Sequence, residues 1–317
     1  MAKKKQQIIG IPRGLLYYKY HVLWEEFFRG IGRKVVVSPA TNKKIMKTGA
    51  NWSVDESCLA MKIYLGHVHA IKDSVDYIFS PRFHSLHRDE RACTKLLAVT
   101  DIVRNTFDDV EVLSFTVNAD KRYRHAYGLL KVGMQLCNNP IKVFTSYINA
   151  HKKQKLSKRK KLSKQIENIK KTGKSKPTLL LVAHSYVNHD AFLGLPIVQT
   201  LEKEGMHVVF ADIIDSHEAR EKSANISTDL YWTYNKELLG AIEVYKKHID
   251  GMIFVMAFPC GPDSLVINLC QNKIEGIPMA VITLDELQAD AGLKTRLESF
   301  VDIIKFRIRH KQKKKKS

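Results

Sequence analysis

The chain has 317 residues, enough for two domains of ordinary size, and its 44% hydrophobic and 26% charged residues are those of a globular protein in water. No run approaches the roughly eighteen apolar residues of a membrane span, and five scattered cysteines do not describe a disulfide scaffold, so a cytoplasmic protein with reduced thiols is expected. The formal charge of +20 is concentrated in Lys3–Lys5, in residues 151–176 (12 Lys/Arg against Glu167) and in eight cations from Lys305 onward, which leaves the remaining sequence near neutral.

"MAKKKQQIIGIP" has a charged start, but its apolar stretch is too short for a signal peptide and breaks at Pro12. Hydrophobic periodicity then predicts strands near 7–12 (IIGIP), 34–39 (KVVVSP), 76–81 (DYIFSP) and 111–117 (EVLSFTV). Between them "LLYYKYHVLWEEFFRGIG" and "AMKIYLGHVHAIKD" carry apolar residues at helical spacing. After the basic stretch the same grammar restarts with "PTLLLVAHS" (177–185), "HVVFAD" (207–212), "GMIFVMAFP" (251–259) and "PMAVITLDE" (278–286). The series predicts an α/β fold of two Rossmann-like domains with parallel sheets, over 6–150 and 177–304, joined by a basic linker at 151–176 and followed by a basic tail at 305–317. The halves read as an internal duplication, since Leu180 trails Ile8 by 172 positions and Gly251 trails Tyr77 by 174. Ligands of open α/β sheets bind beyond the carboxyl ends of the strands, so the two domains are expected to face each other across a cleft. The last apolar stripe, Leu293, Leu297, Phe300 and Ile304, predicts an amphipathic helix that packs in the core or at a subunit contact.

Three cysteines stand in turns that lead into helices: Cys58 in "DESCLAMK", Cys93 in "RACTKLL" and Cys260 in "FPCGPDSLV". A helix N-terminus favours negative charge, and three thiolates with one vacant position suit either an iron–sulfur cluster with one exposed iron or a zinc site completed by histidine or water. His84-x-x-His87 and His67-x-His69 keep the zinc alternative open. Cys137 and Cys270 lie on apolar faces and are assigned to packing. Asp55, Glu56, Asp263, Asp285 and Glu286 gather in the strand-end loops, where Asp263 or Ser264 caps a helix or the carboxylates relay protons in a reductive step. "TGKS" at 172–175 is not a phosphate loop, because Asn168 stands where that motif needs glycine and the strand follows it. Neither a nucleic-acid reading motif nor G-x-S-x-G nor G-x-G-x-x-G is found, and the basic segments read as solvated surface.

"IGIPRGLLYYKYHVLWEEFFRGIGRKVVVSPATNKKI", "VDESCLAMK", "DYIFSPR", "CTKLLAVTDIVRNTF", "FPCGPDSLV" and "TLDELQADAGLKTRLESFVD" together resemble the cysteine-rich domain of proteins related to the activator of 2-hydroxyacyl-CoA dehydratases. That domain is similar to the dehydratase subunits that carry iron–sulfur clusters. The resemblance implies a [4Fe-4S] cluster held by Cys58, Cys93 and Cys260 and electrons supplied by an ATP-dependent activator that is itself an iron–sulfur protein; monomer, homo-oligomer and hetero-oligomer all stay open. It implies low-potential electron transfer or reductive chemistry. The alternatives are a dehydratase component acting directly on a CoA thioester, and a zinc or metal-free interaction protein whose basic segments bind a polyanion. Three positions depart from the family pattern: Ala60 and Thr94 stand where proline is frequent, and Leu287 where histidine is.

Overall fold

Each predicted apolar run contributes a strand to one of two parallel sheets, as crossover connections through helices require. The computed structural model describes residues 6–121, 124–172, 176–286 and 290–316. Lys3–Lys5, most of the "TGKS" stretch and Leu287 lie outside them. The chain divides into two units, Met1–Arg159 with Tyr231–Thr233, and Lys160–Leu230 with Tyr234–Ser317.

The first unit runs β1 (Ile8–Ile11), α1 (Tyr17–Gly30), β2 (Lys34–Val37), α2 (Lys43–Asn51), α3 (Leu59–Ile71), β3 (Tyr77–Phe79), β4 (Arg82–Ser85), α4 (Thr94–Thr106), β5 (Val112–Leu113), β6 (Thr116–Asn118), α5 (His125–Leu136) and α6 (Pro140–Thr172), within which the division falls. Its main sheet has the order β2-β1-β3-β5. The second unit continues with β7 (Thr178–Val182), α7 (Ser185–Asn188), α8 (Gly194–Lys203), β8 (His207–Phe210), α9 (Ser216–Ser223), α10 (Thr233–Tyr245), β9 (Gly251–Ala257), α11 (Gly261–Lys273), β10 (Met279–Leu284) and α12 (Asp290–Lys316). Its sheet has the order β10-β9-β7-β8. Read from the second strand of each, the two sheets are the same: second, first, third, fourth. In both, the strand order reverses between the first and third strands, the place where open α/β sheets form their crevice.

The likeness extends to single hydrogen bonds. Ile8 N donates to Asp76 Oδ2 (2.6 Å) and Asp76 N to Ile8 O (3.0 Å), while Thr178 N donates to Asp250 Oδ2 (2.8 Å) and Asp250 N to Thr178 O (2.7 Å). A Cβ on Gly66 would stand 2.0 Å from the Ile45 carbonyl oxygen, and one on Gly240 would stand 1.7 Å from that of Ala219, so glycine alone lets each helix lie on its predecessor. Ile45 to Ala219, Gly66 to Gly240 and Asp76 to Asp250 all repeat the offset already seen between Tyr77 and Gly251. The first strands are offset by two fewer residues than the sequence reading gave, because Ile8 matches Thr178.

Three segments differ from expectation. The run predicted as one strand at 111–117 splits: Val112–Leu113 joins β3, and Thr116–Asn118 pairs with β4 in a separate two-stranded parallel sheet. The basic stretch read as a linker is helical from Pro140 to Thr172, because lysine, glutamine and leucine are good helix formers and no glycine interrupts them before Gly173. Two buried glutamines hold it. Gln154 accepts from Leu23 N (3.1 Å) and donates to Lys19 O (2.9 Å) in the first unit. In the second, Gln165 accepts from Phe210 N (3.0 Å) and donates to Phe210 O (3.0 Å) and Ile213 O (2.9 Å). The basic tail is likewise the end of α12, whose buried residues are Leu297, Phe300, Val301 and Ile304. Among the described residues no helix is long and apolar enough to cross a membrane.

Two histidines are built into the first core in neutral form. His67, fully buried, places its ring nitrogens 2.9 and 3.0 Å from Ser38 Oγ and Thr41 Oγ1, and burial with the nearby Arg13 charge lowers its pKa to about 3. His125 accepts from Trp24 Nε1 (2.9 Å) among Tyr20, Phe83 and Phe115; burial, Lys158 and His151 lower its pKa to about 3 as well. A histidine depressed in the fold is protonated first in the unfolded chain, so stability falls as pH drops below 6.5, by about 1.4 kcal/mol per pH unit for each. Urea unfolding at pH 6.5 and 5 should therefore differ by about 3 kcal/mol for the first unit, since the unfolded histidines are already half protonated at pH 6.5, and His67→Gln should remove about half of that difference. Equal slopes in wild type and variant would show that His67 titrates freely.

Candidate functional site

Each predicted cysteine occupies the residue immediately before a helix, in extended backbone: Cys58 before α3, Cys93 before α4 and Cys260 before α11. All three are reduced and partly exposed. These helices return antiparallel to the strands, so their N-termini, which stabilise negative charge, lie on the carboxyl side of each sheet. Cys93 and Cys260 are topological equivalents, each opening the helix between the third and fourth strands of its sheet. Cys58 has an equivalent too. It stands eight residues before Gly66, and eight residues before Gly240 stands Trp232. Of four equivalent places, three carry cysteine and one tryptophan. The backbone around Trp232 pairs with Arg91 in the first unit, where Arg91 N donates to Tyr231 O (2.8 Å) and Thr233 N to Arg91 O (3.0 Å).

Sequence reasoning missed the partners of Cys260. Asp263 does not cap α11: its buried Oδ1 lies 2.9 Å from His184 Nε2 and accepts from Asn235 Nδ2 at 2.7 Å. The Cys260 side chain is a further hydrogen-bond partner of the carboxylate. Burial pushes the Asp263 pKa upward, but the His184 charge and the hydrogen bonds from His184, Asn235 and Cys260 outweigh it and hold the carboxyl below its ordinary value. His184 stands two residues past β7, immediately before α7, and Asp263 lies in the first turn of α11 after β9, so their hydrogen bond crosses the point where the strand order reverses. A second pair lies beside β8, where His189 Nε2 is 2.8 Å from Asp212 Oδ2 and Asn188 Nδ2 donates to Asp212 Oδ1 (2.5 Å).

The duplication supplies an internal comparison. Counting along the matched elements, the first-unit equivalents of His184, Asn235 and Asp263 are Gly14, Met61 and Leu96. The same architecture is thus built once with an apolar trio and once with a buried, charged one. The polar trio is not a requirement of the fold.

The other candidates fall out differently. Both ring nitrogens of His67 are taken by hydroxyls, and His69 packs its ring against Trp52 and Phe107, so that pair is not a zinc site. Cys270 is fully buried and burial pushes its thiol up to about 12, in keeping with packing; Cys137 ends α5 with Sγ 3.9 Å from Asn139 O. Asp55 and Glu56 are exposed, and Asp285 accepts from Glu286 N (2.6 Å). Among the described residues no three His, Cys, Asp or Glu side chains form a group that could hold a metal ion.

The family described as CoA enzyme activase uncharacterised domain matches residues 8–214. The chain belongs to that family. The matched part of this activase domain includes Cys58, Cys93 and His184 and ends before Cys260. Membership ties the chain to CoA enzyme activation. No curated protein matches it. Among solved structures it is similar to a Mn-bound periplasmic metal binding protein from Candidatus Liberibacter asiaticus, at 12% identity over 94% of this chain and 100% of that one, with a TM-score of 0.23. It is also similar to a carbohydrate transporter from Acidothermus cellulolyticus in complex with myo-inositol, at 11% identity over 94% and 86%, with a TM-score of 0.22. Likeness at these scores assigns nothing to this chain.

Asp263→Ala leaves His184 and Asn235 without their buried acceptor and should cost the second unit about 3 kcal/mol, measured by chemical denaturation. The charge should matter only where it exists. A depressed carboxyl contributes fully above its ordinary value of 3.8 and loses that contribution as pH falls through its lower folded value. The stability gap between wild type and Asp263→Asn should therefore hold from pH 7 to about 4 and close below. A gap that stays constant into strong acid would mean that Asp263 is already protonated in the fold.

Proposed function

We propose that the chain is an iron–sulfur redox component of an acyl-CoA dehydratase system, with Cys58, Cys93 and Cys260 as the protein ligands of one [4Fe-4S] cluster. The observation that carries this reading is the repeated placement of the three thiols: each stands at a helix N-terminus on the carboxyl side of a parallel sheet, and two of them occupy the same position in the duplicated fold. Reduced, partly exposed thiols are the donor chemistry such a group takes. When bound, the cluster supplies low-potential one-electron transfer.

The residues around Cys260 have definable parts in this scheme. Asp263 accepts a hydrogen bond from the Cys260 side chain and so orients it. Asn235 fixes the carboxylate, and His184 ties it to the end of β7. The electron source is an ATP-dependent activator, a partner protein. The family supports the association with CoA enzyme activation, and the dehydratase assignment rests on the resemblance of the cysteine segments.

Anaerobic purification followed by iron analysis and visible spectroscopy tests the reading. Cys58→Ser, Cys93→Ser and Cys260→Ser should each lose most of the iron and the broad visible absorption. Cys137→Ser and Cys270→Ser should retain both. Full iron retention in two of the first three variants sinks the ligand assignment.

A further inference from the structure

The charge of this chain sits on surfaces the redox reading does not use, and the best defined of them is α6. From His151 to Ile166 that helix carries eight Lys/Arg and no acidic residue. Its orientation is fixed by what it buries. Val143, Ala150 and Gln154 point into the first unit, and Gln154 satisfies two backbone groups of α1, the buried N–H of Leu23 and the half-buried carbonyl of Lys19. At about 100° per residue, the side opposite Gln154 is lined by Lys152, Leu156 and Arg159, with Lys155 on its flank. All four are exposed, Leu156 by 65%. Lys153 is paired with Glu26 (2.5 Å), and Lys158 stands 5.4 Å over the Tyr20 ring, so these two are committed within the unit. Lys152, Lys155 and Arg159 have no ion-pair partner among the described residues.

We propose that this face of α6 binds the phosphodiester backbone of duplex nucleic acid. Lys152 and Lys155 are three apart and Lys155 and Arg159 four apart, so each is a neighbour of the next on the helix surface. Like charges so placed repel by a few tenths of a kcal/mol per pair, a cost that the buried glutamine offsets and a polyanion relieves. A merely solvated linker needs no such arrangement and no helix. The three cations lie along about 10 Å of helix axis, while a duplex presents one phosphate charge per roughly 1.7 Å of its own axis, so a row of this length meets several phosphates. Contact of this kind positions a protein without reading sequence, which agrees with the absence of any base-reading motif. An anionic membrane fits less well. Helices that lie in the lipid interface present a continuous apolar face; here Leu156 is the one large apolar side chain within the row of Lys152, Lys155 and Arg159, and the other apolar side chains that α6 exposes, Ile141, Phe144 and Ile166, stand about two turns or more beyond that row.

Fluorescence anisotropy of a labelled mixed-sequence DNA duplex, titrated with the full-length protein over a series of salt concentrations, tests the proposal. Binding should weaken steeply with salt. In Lys152→Gln/Lys155→Gln/Arg159→Gln the slope of log K against log salt should fall by about 3, close to 0.9 per lost phosphate contact. Glutamine has nearly the helix propensity of lysine, so circular dichroism should be unchanged. The three single variants, each expected to remove about one unit of slope, keep the test open should the triple variant unfold. An unchanged slope in the folded variants overturns the proposal, as does tighter binding to phosphatidylserine vesicles than to the duplex at equal ionic strength.

Discussion

The second unit depends on one buried carboxylate. Asp263 is withdrawn from water, and an anion so placed is tolerated only when donors replace its hydration. Those donors come from separate elements: His184 from just past β7, Asn235 from the first turn of α10 and Cys260 from the start of its own helix. Because an ionised carboxylate only accepts, His184 must present a proton at Nε2 and Asn235 must present its amide nitrogen. A single charge thereby fixes two side-chain orientations and ties together the ends of β7, α10 and α11. Replacing only one member leaves the others desolvated, so the network is held as a unit or not at all.

What the fold itself demands is visible in the first unit, where the same strand order, aspartate-to-backbone clasp and glycine helix crossing recur. There the carboxyl ends of the strands are tied by neutral groups. Tyr64 donates to Ser80 Oγ (2.9 Å), Thr100 donates to Ser80 O (2.5 Å), and Ser38 joins His67 to the backbone N–H of Arg13. Hydroxyls and a neutral imidazole suffice to close that end of the sheet. The trio of Gly14, Met61 and Leu96 stands where the second unit has a histidine, an asparagine and an aspartate. Two copies of one architecture have thus been given different chemistry at the same place, and the copy that departs from plain packing is the one in which the network reaches a cysteine.

Much of this was legible in the sequence because strands buried on both faces leave an unmistakable apolar run. All eight main-sheet strands, the parallel α/β class and the placement of Cys58, Cys93 and Cys260 ahead of helices follow from such runs and the turns that end them. The two-stranded sheet of β4 and β6 was hidden because its strands are short, and Val112–Thr116 looks like one continuous strand until the change of partner at Ser114. His184 and Asn235 were missed for a different reason. A buried hydrogen bond between residues 79 positions apart has no periodicity to betray it. Its only sequence signal is the mismatch between the halves once the offset is set correctly, polar residues in one copy against apolar residues in the other.

The lysine-rich stretch misled for a reason that is physical rather than statistical. Charge density argues for extension, since like charges repel, and by that measure residues 151–172 belong to a solvated linker. Helix formation there is decided by two uncharged residues. Gln154 and Gln165 each supply a donor and an acceptor to backbone groups of their own unit. Leaving such buried groups unpaired costs about 1–3 kcal/mol each, several times the few tenths lost to each lysine pair on the surface. The buried amides therefore win, and in winning they decide which lysines point outward. The pattern of charge on this surface is a consequence of two glutamines that carry none.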